Sequence, residues 1–192
     1  MHYLQEVTEI MRRARHLGER VLDGGTRMIG HVPHVAPQAW LHILFSPLSD
    51  DEIGEVESEI GIAIPESLKV FYSLANGISL FSGSLAIYGR RDNYKRTVDS
   101  ARQPFSITTP NTVERLRDAK GSYLFIGGYP SQKGYYLCVD IRDLRVYRCT
   151  RESAKPLANW GSFEEMLVAE ANRLALLFDR EGRRINPDQP IV

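Results

Sequence analysis

The sequence is poor in cysteine, carries no excess of either charge, and has no long apolar run. Its two cysteines, Cys138 and Cys149, are too few for a disulfide framework. They fall on consecutive predicted strands and could face each other across a hairpin. In a reducing compartment they read as two buried thiols. Lys plus Arg and Asp plus Glu both number 24. That balance provides no general attraction to nucleic acid or to an anionic membrane, although it leaves local patches open to a protein partner. No apolar stretch approaches the about 20 residues that a bilayer crossing needs. The start, Met1-His2-Tyr3-Leu4-Gln5-Glu6, lacks the basic-then-apolar pattern of a secretory signal, so a cytoplasmic location is expected.

Patterns of catalysis are also missing. There is no glycine-rich phosphate loop ending in Lys-Ser/Thr, no dinucleotide fingerprint after a strand, and no Gly-x-Ser-x-Gly elbow. Gly127-Gly128 follows a strand but precedes no helix, and is expected to form a turn. All five histidines lie within the first 42 residues, far in sequence from both cysteines. His31-Val32-Pro33-His34 offers two candidate metal ligands, but a zinc site needs three or four, and Pro33 prevents a regular helical presentation. The acidic groups Asp50-Asp51-Glu52 and Glu164-Glu165 sit in predicted first helical turns, where unpaired backbone N–H groups favour carboxylates. No catalytic, cofactor-binding or metal-binding residue is assigned, and the chain is not expected to be an enzyme.

What is present reads as one α+β domain. The 192 residues, 43% hydrophobic, are enough for one real core. Residues 3–22 show an amphipathic helical stripe through Leu4, Val7, Met11, Ala14 and Val21. That stripe serves either the protein's own core or a homodimer contact, so both monomer and homodimer are open. Residues 24–37, rich in Gly, Pro and His, read as a linker, and 40–45 is an apolar run of ambiguous period. Ser49-Asp50-Asp51-Glu52 is a capping box opening a helix, with Leu48 placed to staple onto Ile53. Gly61 stops that helix, Pro65 opens another, and Asn76-Gly77 ends it.

Strands are predicted over 78–81, 84–88, 123–126, 135–140 and 145–150. A polar loop covers 89–109 and a short helix 111–119. A second capping box, Ser162 with Glu165, opens a closing helix whose buried face is Phe163, Met166, Leu167, Leu174, Leu177 and Phe178. Hairpin-connected strands imply an antiparallel β-sheet meander with helices packed on one side. The expected organisation is an N-terminal helix and linker over 1–37, a domain over 38–181, and a loose tail over 182–192.

Leu48-Ser49, the acidic helix 50–60, Gly61-Ile62, Ile64-Pro65, the helix 67–75 and Asn76-Gly77 follow one another in an order that resembles the SUKH (Smi/Knr-like) superfamily. Trp160 followed by Ser162-Phe163-Glu164-Glu165-Met166-Leu167 is similar to the family's closing block. The resemblance covers about residues 40–180. The longer N-terminal segment and the 89–109 loop depart from it. It implies a non-catalytic protein-binding domain of the bacterial immunity type, which binds and neutralises a cognate protein toxin. A small-ligand-binding regulatory protein, or an interaction protein in cell-wall signalling, is the alternative. The matched residues read as scaffold, with Trp160 filling core. Partner contact is therefore expected on the unmatched surface, at Arg90, Arg91, Tyr94, Tyr129 and Tyr135, because Arg and Tyr anchor protein interfaces. The run Arg90-Arg91 with Tyr94-Lys95-Arg96 is too short, in a neutral protein, to indicate single-strand nucleic-acid binding.

Overall fold

A computed structural model describes residues 2–94, 102–132 and 134–192. Nine strands form one sheet in the order of the chain, each antiparallel to the next. They are β1 (Glu19–Val21), β2 (Arg27–His31), β3 (Trp40–Leu44), β4 (Ile78–Leu80), β5 (Leu85–Ile87), β6 (Tyr123–Gly128), β7 (Tyr135–Asp140), β8 (Val146–Thr150) and β9 (Ala158–Trp160). The helices are α1 (His2–Arg12), α2 (Asp50–Ile60), α3 (Glu66–Tyr72), α4 (Thr108–Asn111) and α5 (Phe163–Ala175), with a short 3₁₀ turn at Arg15–Leu17. This is the α+β meander that the hairpin pattern predicts.

The helix expected over 3–22 ends at Arg12. Its apolar stripe continues in register through Ala14, but Gly18 takes φ 112° and turns the chain into β1. Val21, assigned to the stripe, is exposed on this edge strand. Val7, Ile10, Met11 and Ala14 are buried, and α1 packs along α5, so the stripe is used within the chain. The expected linker contains β2, whose Met28 and Ile29 are core residues hidden among turn formers. Residues 40–45 resolve to strand β3.

The α2 cap forms as the local pattern dictates. Ser49 Oγ accepts from the Glu52 N–H, and the Glu52 carboxylate accepts from the Ser49 N–H at 2.8 Å. Gly61 closes the helix in the left-handed region. At α5, Ser162 Oγ accepts from the Glu165 N–H, but the Glu165 carboxylate takes the Gly161 N–H, one residue earlier than a capping box would. Phe71 of α3, Phe163 of α5 and Tyr3 of α1 meet edge to face, which joins three helices over one face of the sheet. Trp160, expected to fill core, lies half-buried on edge strand β9.

The helix expected over 111–119 is instead the four-residue α4, ending at Asn111. Asn111 is buried, and its side-chain amide pairs with both backbone groups of Phe125: Nδ2 donates to the carbonyl at 2.7 Å and Oδ1 accepts the N–H at 2.9 Å. Gly127-Gly128 is not a turn but the end of β6. An added Cβ at either residue would lie 2.5 Å from a neighbouring strand's carbonyl, Ala86 or Tyr135. The tail expected to be loose folds back at an Asp179 turn, and Ile191 is buried. One isolated anchor among polar residues leaves no periodic signal.

Cys138 and Cys149 are buried, unbridged and diagonal across β7 and β8, since Cys138 pairs with Tyr147 and Cys149 with Tyr136. A hydrogen bond to Cys149, followed by burial, pushes the Cys138 thiol far above its ordinary value.

Candidate partner-binding cleft

The five residues proposed as contacts occupy three different environments. Arg90 is built into the framework. Its backbone N–H donates to Asn76 Oδ1 at 2.6 Å, and its carbonyl accepts from Asn76 Nδ2 at 2.9 Å. Its guanidinium meets Glu52 at 2.8 Å, Glu55 at 3.0 Å and Asp92 at 3.1 Å. Glu52 therefore caps α2 with one oxygen and holds Arg90 with the other. The hydrogen bond from the Ser49 N–H, with Arg90 adding to it, keeps the Glu52 carboxyl below the usual range.

Gly77 follows with φ 89°, and a Cβ there would sit 2.6 Å from the Ile87 carbonyl. The Asn76-Gly77 pair is thus more than a helix stop. It brings the chain after α3 against the start of the 89–94 segment, where Gly89 leaves room for the Asn76 amide.

Tyr129 is 1% exposed, and its hydroxyl donates to Glu170 Oε2 at 2.9 Å. Glu170 is itself 3% exposed and is paired with Arg173 at 2.6 Å. Burial first, and the Glu170 carboxylate second, push the Tyr129 hydroxyl well up, so it stays a neutral donor. As a direct contact Tyr129 is corrected: the strand-end position suggested exposure, but α5 covers it. Tyr135 is half-buried on this same side, edge-on to Tyr129 and beneath Arg148.

Arg91 and Tyr94 come together, and they do so with residues not foreseen. They line a cleft of about 340 Å³ with Tyr88, Phe105, Glu114, Tyr136 and Arg151. The Arg91 guanidinium lies 5.8 Å from the Tyr94 ring centre and donates to the carbonyls of Asn93 and Pro104. Tyr94 is 62% exposed, with its hydroxyl on Ser106 Oγ at 2.8 Å. On the opposite wall the Arg151 guanidinium lies 4.7 Å from the Tyr136 ring centre. Among the described residues no carboxylate pairs with Arg151. Burial raises the Tyr88 and Tyr136 hydroxyls, which therefore remain neutral donors at any physiological pH. The Tyr136 hydroxyl donates toward Glu114 at a long 3.5 Å. Lys95 and Arg96, the remainder of the basic-aromatic run, lie outside the described residues.

Arg151 and Tyr136 were missed because they lie 60 and 45 positions from Arg91 in the sequence, and only the folded sheet brings them into one cleft with it. The alternation of β7 was readable. It puts Tyr136 on the opposite face from Tyr135, and that assignment is the signal that could have separated the two tyrosines.

No helix among the described residues is long and apolar enough to cross a membrane. None of the curated proteins matches the chain. The family model described as SMI1 / KNR4 family (SUKH-1) matches residues 47–169, which include the α2 cap, the Asn76-Gly77 pair, the cleft and the start of α5. The match spans more than half of the sequence, and the chain belongs to the SMI1/KNR4 (SUKH-1) family.

Proposed function

We propose that the protein is a non-catalytic binding protein of the immunity type, which acts in the cytoplasm and neutralises a cognate protein toxin by covering its active site. Family membership supports a protein partner. The observation that carries the reading is the cleft that brings Arg151, over the Tyr136 ring, together with the exposed Tyr94. Arg and Tyr are the residue types that dominate binding energy when a partner desolvates them. Glu114 in the same cleft adds an acceptor, so the surface suits a partner of mixed charge.

The contact set accordingly narrows to Arg91, Tyr94, Tyr136 and Arg151. Arg90 and Tyr129 act from behind, by fixing the backbone of the loop and of the sheet end. The test is co-expression with a toxin encoded beside this gene. Wild type should protect the host and co-purify with the toxin, and the Tyr94→Ala/Arg151→Glu double variant should do neither while remaining folded. Full protection by that variant would sink this surface. Failure of the wild type with every neighbouring candidate would count against the immunity role itself.

A further inference from the structure

A second cavity, of about 460 Å³, opens between α1, β3 and the end of α5. Its volume falls within the range of small-molecule sites. Ile10, Ala14, Leu41, Phe81 and Phe178 form its apolar wall, and the Phe81 and Phe178 rings stack with centres 5.0 Å apart. At its base stands His42, 1% exposed, with its ring edge-on to Phe81. The Phe81 backbone N–H points to His42 Nδ1 at a long 3.5 Å, which makes Nδ1 the acceptor and assigns the ring proton to Nε2.

Nε2 has no hydrogen-bond partner among the described residues, yet it is not among the polar atoms sealed from solvent. His42 is one of the residues that line the cavity, so this N–H is the donor its imidazole can offer there. Burial pushes the imidazole down to about 3, so it is a neutral donor at physiological pH. Arg13 and Arg180 line the mouth, both exposed and neither paired with a carboxylate among the described residues. Asp179, also at the mouth, accepts the Glu181 and Arg183 N–H groups on Oδ1, so one carboxylate stands beside the two arginines.

We propose that this cavity binds a small aromatic carboxylate bearing a hydrogen-bond acceptor at its far end: the ring against Phe81 and Phe178, the acceptor on His42 Nε2–H, and the carboxylate between Arg13 and Arg180. All these residues except Phe81 lie outside the stretch that matches the family. The site lies apart from the cleft and stands independently of the toxin reading.

The test uses the full chain with its histidines ¹⁵N-labelled, and three probes: 4-hydroxyphenylacetate, phenylacetate and 4-hydroxyphenethylamine. At millimolar concentration 4-hydroxyphenylacetate should shift the His42 imidazole resonances saturably. It should bind about tenfold more tightly than phenylacetate, which leaves the His42 donor unpaired. The amine should bind at least about tenfold more weakly, since it brings a cation to two arginines. Arg13→Ala/Arg180→Ala, both surface changes, should weaken the two acids about tenfold without moving the thermal midpoint. No saturable shift of the His42 signals with any probe overturns the site. Equal affinity for the two acids overturns the role of His42. Equal affinity for acid and amine overturns the role of the arginines.

Discussion

Two neighbouring regions handle their arginines in opposite ways. Around Asn76 the polar groups close on one another: Arg90 faces three carboxylates, and its backbone is held at both ends by one side-chain amide. Across the cleft, Arg151 lies on an aromatic face with no carboxylate partner among the described residues. A guanidinium already neutralised within the fold contributes to shape, and drawing it into a new contact means breaking existing ion pairs first. One set over a tyrosine, without a carboxylate to release, meets a partner with no ion pair to break first. The difference separates framework from the proposed contact surface inside a single family-matched stretch.

The largest effect should come from Gly77→Val. The substitution forces a β-branched residue to φ 89° and sets its Cβ 2.6 Å from the Ile87 carbonyl. The expected loss is about 3 kcal/mol or more, read by denaturant unfolding. Asn76→Ala should follow, at about 2 kcal/mol, because it strips partners from both the N–H and the carbonyl of Arg90. If either variant unfolded at the wild-type midpoint, the framework assignment would fail.

A third expectation concerns acid. His42 titrates at 6.5 when unfolded and at about 3 in the fold. Between those values the unfolded chain binds the extra proton, so stability falls as pH drops from 6.5 toward 3. The slope contributed is up to about 1.4 kcal/mol per pH unit, and nothing is contributed above 6.5. Glu52 and Glu57, both held below their ordinary range, also lose their contribution on acidification, but lower, as pH falls through their folded values. His42→Phe should flatten the upper part of that decline, measured by urea midpoints at a series of pH values. An unchanged slope would mean that the imidazole is not buried neutral.

Smallest in stability is Arg90→Ala set beside Arg151→Ala. The first should cost about 1 kcal/mol, because its three ion pairs are partly exposed but form a network. The second should cost within about 0.5 kcal/mol, as expected of a surface change. In binding the order should reverse.

How much of this was legible follows from the range of each interaction. The α2 cap spans three positions and lies in one turn, so Ser49 and Glu52 announced it. The hydrophobic faces of α2 and α5 were equally local. Asn76 with Arg90, and Asn111 with Phe125, pair across 14 positions, and Tyr129 with Glu170 across 41. Nothing in an Asn or a Glu letter tells which distant backbone or hydroxyl it will satisfy. For the same reason Arg90 and Arg91 read alike, and so did Tyr129 and Tyr135. The α1 boundary failed differently. The periodicity was right as far as Ala14, and a single glycine at 18 outweighed the rest of it. Arg151 became visible as a cleft residue only in the fold, where the exit of β8 and the 89–94 segment line one cavity.

The central claim is that the cleft, and not the Arg90 network beside it, meets the partner. It is tested most directly by titration calorimetry of the neighbouring toxin against wild type, Arg90→Ala and Tyr94→Ala/Arg151→Glu. The account predicts that the double variant loses about a hundredfold or more in affinity with its thermal midpoint unchanged, while Arg90→Ala keeps wild-type affinity at a lower midpoint. Wild-type affinity in the double variant, or a loss confined to Arg90→Ala, would contradict it.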